Sequence, residues 1–356
     1  MRSRKLGSTS HRKRKPNITS TLPEFISGLI RDTVPGGEYQ RRLETMASSL
    51  LQDSQDSLSV NLLPSILCST VVATSDKAIP VTAAWQFIRL AAKLYDDVED
   101  GETGDRGAEV TNLATGYLFA AHAALDRLTE YGISWEQSQR VRTSFNRACL
   151  HTCVGQDADL STRWDRMVPS PDDWLEAARS KSGVLFAWAS WAGAVVADTN
   201  QEVLEGFWKY GLHLGILVQI ADDYNGIWGS PLKSDLSAYR VTLPICYAHF
   251  VANNDEREIL LGLLREANRG NTDIISKGQD MLSALGTQKF ILAAAQVQRN
   301  EAVEAICHYC FSELSSQKLI TLLDTAFPAL AHLHQTSYEQ NDSRLADSTQ
   351  VISDCK

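Results

Sequence analysis

The chain has 356 residues, 44% of them hydrophobic, with ordinary aromatic content and little Pro or Gly, which is enough apolar material for one large core. Its formal net charge is −9, and the first fifteen residues carry seven Lys/Arg and no acid, so the body beyond them is more acidic still. That balance argues against a nucleic-acid groove and requires local cations for any bound polyanion.

In chain order, residues 1–20 are basic, polar and aperiodic and are expected to form a disordered tail. No apolar run follows them at the distance a secretory signal needs. Residues 21–335 read almost entirely as helix. Apolar residues recur at three- and four-residue spacing in Phe25–Ile30, Trp85–Leu94, Leu113–Leu128 and Leu204–Ile227. Breaks fall at Pro35–Gly37, Gly101–Gly107, Pro169–Pro171 and Gly229–Pro231. Strand patterning is almost absent, so the expected fold is all-α, one bundle of ten or more helices. The most apolar stretch, Val184–Ala197, has fourteen residues, short of the ~20 a bilayer span requires, so no transmembrane segment is expected. From residue 336 the chain is polar again, a C-terminal tail to residue 356. The seven cysteines (Cys68, Cys149, Cys153, Cys246, Cys307, Cys310, Cys355) lack framework spacing and read mostly as small apolar residues in a reducing, cytoplasmic setting. Cys307 and Cys310 form a lone CxxC that reads as helix packing rather than a zinc site.

Two acidic clusters stand out. Asp96, Asp97, Glu99 and Asp100 end the Trp85–Leu94 helix, with Asp96 and Asp100 one turn apart on one face. A helix C-terminus disfavours anions and favours a cation, so such a cluster suits Mg2+, which takes carboxylate oxygen and leaves positions for phosphate. Alternatively, it is a solvated acidic helix end. Asp222 and Asp223 lie inside a second apolar helix, Tyr210–Trp228, where acids are costly unless paired or metal-bound.

With these residues in view, the chain resembles the all-trans polyprenyl diphosphate synthases over roughly residues 40–300. Asp96–Asp100 matches the family's first DDxxD motif, in the DDxED form of its peptide-prenylating members. Gly155–Leu160 resembles GQxxDL, Lys181-Ser182-Gly183 resembles K-T-G, and Gln219–Asp223 with Ser234-Asp235-Leu236 and Thr242-Leu243-Pro244 resembles the second motif and its tail. The resemblance implies an all-helical domain around a central cavity, an allylic prenyl diphosphate as substrate, a homodimer, and Mg2+ as cofactor, three ions in all. It further implies metal ligands at Asp96, Asp97, Asp100, Asp222 and Asp223 and diphosphate contacts from Arg106, Lys181 and Arg240. Gln156 and Gln219 would hydrogen-bond near the reacting centre. Ala91 and Ala92, one turn before Asp96, would leave room for a prenyl tail; close helix packing explains alanines there equally well.

The departures are directional. The family's Gly-Gly-Lys-Arg-x-Arg-Pro segment grips isopentenyl diphosphate. The matching stretch here reads Ser57-Leu58-Ser59-Val60-Asn61-Leu62-Leu63-Pro64, so only Pro64 is retained and the cations are gone. After the first motif the family's Arg-Arg-Gly reads Asp105-Arg106-Gly107, the last Asp of the second motif is Gly226, and Tyr239 replaces the Gly before Arg240. Each lost charge-assisted hydrogen bond costs about 1.5–3 kcal/mol, so a second diphosphate would bind poorly. Three readings follow. One is a Mg2+-dependent prenyltransferase, with an acceptor other than isopentenyl diphosphate as one form. Another is a terpene cyclase or lyase on the same scaffold, although Asp222, Gly226 and Ser230 occupy the register of the usual cyclase N-x-x-x-S-x-x-x-E triad. The third is a non-catalytic subunit that binds a prenyl diphosphate or regulates a synthase.

Overall fold

The computed structural model describes residues 21–53, 58–72, 74–229, 234–238, 240–269, 271, 273–307, 309 and 311–330. The tails expected at 1–20 and 336–356 lie outside these residues, as do Ser57, Ser230, Tyr239, Cys310 and Cys355. Among the described residues the chain is helical and contains no strand, so the all-α expectation holds.

The helices are α1 (Leu22–Thr33), α2 (Glu38–Asp53), α3 (Leu63–Val71), α4 (Ile79–Glu99), α5 (Gly107–Leu125), α6 (Trp135–Ser161), α7 (Pro171–Ala178), α8 (Val184–Val196), α9 (Gln201–Trp228), α10 (Leu243–Val251), α11 (Asn254–Asn268), α12 (Asp273–Ala284), α13 (Thr287–Cys307) and α14 (Glu313–Ala326). Their starts are written locally. Ser134 and Ser170 accept the backbone N–H groups of Gln137 and Asp173, and those side chains reach back to close capping boxes at α6 and α7. Asn200 caps α9 in the same way through the N–H of Val203. Proline stands in the first turn of α1, α3, α4, α7 and α10, where its missing N–H costs nothing.

The centre is formed by α8 and α9. α8 is apolar on nearly every side, and Trp188, Ala189 and Ala192 have no exposed surface. It packs against α9, α3 and α6; α9 is further covered by α13, and α4 lies along α5. The close α8–α9 crossing depends on Gly215, where a Cβ would come within 2.8 Å of the Gly183 Cα and 2.9 Å of the Phe186 Cβ. The consequence for function is positional. Asp96 sits in the last turn of α4 and Asp222 sits between one and two turns before the end of α9, and both side chains line one cavity.

Candidate active site: an acidic cavity between α4 and α9

That cavity has a volume of about 510 Å³. Asp96 of α4 and Asp222 of α9 line it, with Lys181, Ser182, Gln156, Gln219, Asp223, Asp235 and Arg240 around them. Trp85, Leu185, Phe186 and Val218 supply its apolar wall. The rings of Trp85 and Phe186 meet edge-to-face at 4.8 Å, and the Trp85 indole N–H donates to the Val60 carbonyl at 2.8 Å.

The polar rim is cross-linked by charge. Arg240 Nε donates to Asp100 Oδ1 at 2.7 Å, its Nη2 reaches Asp100 Oδ2, and Nη2 lies 3.3 Å from Asp96 Oδ2. The fork therefore grips one carboxylate with two bonds and touches the second. Lys181 Nζ lies 2.7 Å from Asp159 Oδ2 and 3.5 Å from Asp96 Oδ1. Burial works against both cations, but these acids outweigh it and raise both pKa values. Lys181 sits in a π-helical turn, Arg179–Gly183, that joins α7 to α8. Gly155 of α6 lets this turn approach, since a Cβ there would collide with the Lys181 backbone.

Asp222 opens onto the cavity, yet desolvation by the surrounding protein pushes it up to about 6; Arg89 opposes that shift and the Asp96 charge adds to it. Asp223 is pushed up to about 8, again by burial, although it accepts the Leu243 N–H at 2.7 Å. Gln219 links the wall: Ser182 Oγ donates to its Oε1 at 2.7 Å and its Nε2 donates to Asp223 Oδ1 at 3.3 Å. Gln156 donates to Glu99 at 2.6 Å and so ties α6 to α4.

Two expected site residues lie elsewhere. Asp97 lies 3.2 Å from Lys93, which itself lines the acidic cavity, but Asp97 and the exposed Arg106 line a second cavity between α2, α4 and α5. Of the two alanines, Ala92 lines the acidic cavity, whereas Ala91 is buried in the core. Conversely, Arg89 belongs to none of the sequence motifs yet lines the acidic cavity. It lies over the Trp85 ring at 5.5 Å and near Phe186 at 5.9 Å, and it donates to the Asn61 side chain. The available signal was its position seven residues before Asp96, two turns along the same helical face. Asp159, the partner of Lys181, falls three residues after Gln156 on α6, inside the GQxxDL-like segment.

The donor set fits Mg2+. Asp96 and Asp222 offer hard oxygen ligands from two helices to one space. Among the described residues no three Asp, Glu, His or Cys side chains form a cage for a single ion. Two carboxylates from separate helices on one cavity suit a cation that takes one or two carboxylates and completes its shell with phosphate oxygens and water.

The family model described as Polyprenyl synthetase matches residues 30–280, most of the chain. The chain belongs to that family. A short chain isoprenyl diphosphate synthase of Methanocaldococcus jannaschii is 26% identical over 214 residues, covering 56% of this chain and 64% of that enzyme, less than two thirds of its length. A geranylfarnesyl diphosphate synthase of Aeropyrum pernix is 26% identical over 265 residues, covering 69% of this chain and 81% of the relative. In fold, the crystal structure of a geranylgeranyl pyrophosphate synthetase from Pyrococcus horikoshii superposes with a TM-score of 0.71 at 20% identity, over 86% of this chain and 94% of that one. No described helix of this polyprenyl synthetase family member is long and apolar enough to cross a membrane.

Proposed function

We propose that the protein is a Mg2+-dependent prenyltransferase that ionises an allylic prenyl diphosphate and passes the prenyl group to an acceptor. The observation that carries this reading is the placement of Asp96 and Asp222, from separate helices, on one cavity with Lys181 and Arg240 at its rim and an apolar wall beside them. Asp96, Asp100 and Asp222 would hold the metal ions, which neutralise the charge that grows on the departing diphosphate. Lys181 and Arg240, now held by aspartates, have donors suited to phosphate oxygens and would orient the headgroup. Gln219, fixed by Ser182 and Asp223, would present an amide dipole near the reacting carbon. Trp85, Phe186, Leu185 and Val218 would keep water from the allylic cation.

The acceptor belongs to the proposal too. Val60 and Asn61 are already engaged by Trp85 and Arg89, and Leu63 is fully buried. The segment carries no Lys or Arg of its own, and the one cation against it, Arg89, is held by the Asn61 side chain. That favours an acceptor other than isopentenyl diphosphate, and it keeps a second reading in play, a cyclase or lyase whose cation is captured internally or by water. The deciding experiment incubates purified protein with Mg2+ and geranyl, farnesyl or geranylgeranyl diphosphate, with and without isopentenyl diphosphate. A longer diphosphate indicates chain elongation, and a hydrocarbon or alcohol without isopentenyl diphosphate indicates the cyclase or lyase. Magnesium-dependent binding without turnover, whatever acceptor is supplied, overturns the enzymatic reading in favour of a binding subunit. We also propose a homodimer. Leu150 and Val154, one turn apart on α6, are 67% and 68% exposed, and light scattering of the purified protein measures the assembly.

A further inference from the structure

Gly226 lies one turn beyond Asp222 on the same face of α9 and lines the same cavity. A glycine within a helix is unfavourable unless something needs the space. Here the space is filled by a carboxylate: a Cβ on residue 226 would run into Asp235, with Oδ2, Cγ and Oδ1 its three nearest atoms. Asp235 is delivered there by a short turn, Asp235–Ser237. Ser234 Oγ accepts the Leu236 N–H at 3.4 Å, Ser237 Oγ donates to the Ser234 carbonyl at 2.6 Å, and Leu236 is 1% exposed as the anchor. Burial raises the Asp235 carboxyl, the Arg240 charge opposes that rise and the charges of Asp100 and Asp96 add to it. The cavity thus holds a carboxylate beyond those of α4 and of Asp222, packed against bare helix backbone.

We propose that Asp235 joins Asp222 in the divalent-cation shell on the α9 side of the cavity, supplying from a separate turn the carboxylate that Gly226 lacks. The proposal rests on the Mg2+-dependent reading above and adds a ligand to it. Two carboxylates with phosphate oxygens and water suffice for a hard divalent ion. The competing role for Asp235 is to orient Arg240 alone. That role predicts an effect on diphosphate binding whether or not metal is present.

The test uses the full chain, Mn2+ as the metal probe and inorganic pyrophosphate as the anion, with bound Mn2+ counted by electron paramagnetic resonance. Asp235→Asn is expected to weaken pyrophosphate-dependent Mn2+ binding at least tenfold or to remove one ion. Pyrophosphate binding without metal should be unchanged or tighter, because a negative charge has been removed. Gly226→Ala, which keeps Asp235 but displaces it, is expected to produce the same metal defect; it decides the matter if Asp235→Asn does not fold. Wild-type Mn2+ affinity and stoichiometry in the decisive variant, while Asp222→Asn loses them, overturns the Asp235 assignment and leaves the functional reading intact. An equal loss of pyrophosphate binding with and without metal overturns it in favour of the Arg240 role. Retention of Mn2+ by Asp222→Asn as well overturns both.

Discussion

Asp96 and Asp97 are adjacent in sequence, yet they line different cavities, Asp96 the acidic one and Asp97 the second. Their substitution should therefore have unequal effects. Asp96→Ala and Asp222→Ala are each expected to lower kcat by about 10²–10³-fold or more, the scale of losing one group that stabilises developing charge. Asp97→Asn should stay within about threefold of wild type, its exposed pair with Lys93 contributing little. A pyrophosphate-release assay compares the three, and equal loss in all of them refutes the division of roles. Lys181→Ala removes one charge-assisted contact and is expected to weaken diphosphate binding by about 1.5–3 kcal/mol, measured by calorimetry with pyrophosphate and Mg2+. The thiols offer a test with a defined pH sign. Burial pushes Cys149 up to about 12 and Cys68 up to about 11, so both are protonated at pH 8, while Cys153 and Cys307 are exposed. Because the thiolate is the nucleophile, iodoacetamide at pH 8 should label Cys153 and Cys307 first, and raising the pH should speed the labelling of Cys68 and Cys149. Peptide mass spectrometry reads the order.

At the scale of elements, the site depends on how closely three segments approach. Lys181 is carried by a π-helical turn pressed against α6 at Gly155 and continuous with α8, which itself meets α9 at Gly215. Gly155→Ala is expected to cost about 1–3 kcal/mol of stability, the usual range for overpacking, because the new Cβ meets backbone that no side-chain rotation can move. The same variant should lose pyrophosphate affinity through displacement of Lys181. Urea unfolding and calorimetry together check it, and wild-type values in both refute the packing account. The sequence displayed Gly155 within a GQxxDL-like segment, but the reason for the glycine is a contact with a turn more than twenty residues away. The helices themselves were legible because apolar spacing, caps and prolines act within a few residues.

For the whole molecule, binding at a cavity built from α4, α6, α9 and the turns beside α7 and α10 ties distant segments into one unit. A ligand that binds only the folded chain stabilises it by mass action, about 2.7 kcal/mol at a hundredfold excess over Kd. Pyrophosphate with Mg2+ is accordingly expected to raise the thermal midpoint, with a smaller rise from either alone and reversal by EDTA. Equal shifts from pyrophosphate with and without Mg2+ would remove the metal from the proposal.

Local sequence determined the helical character of the chain, the two acidic clusters on apolar helices and the loss of cations at Val60–Leu63, because propensity, periodicity and residue chemistry are properties of short stretches. Only the tertiary structure decided which charges meet. It turned Asp97 and Arg106 to a second cavity, brought Arg89 over Trp85 beside Phe186, and set the Asp235 carboxylate against Gly226. The physical reason is that electrostatic and steric neighbours across a bundle are fixed by how helices cross, and that crossing depends on contacts between residues far apart along the chain.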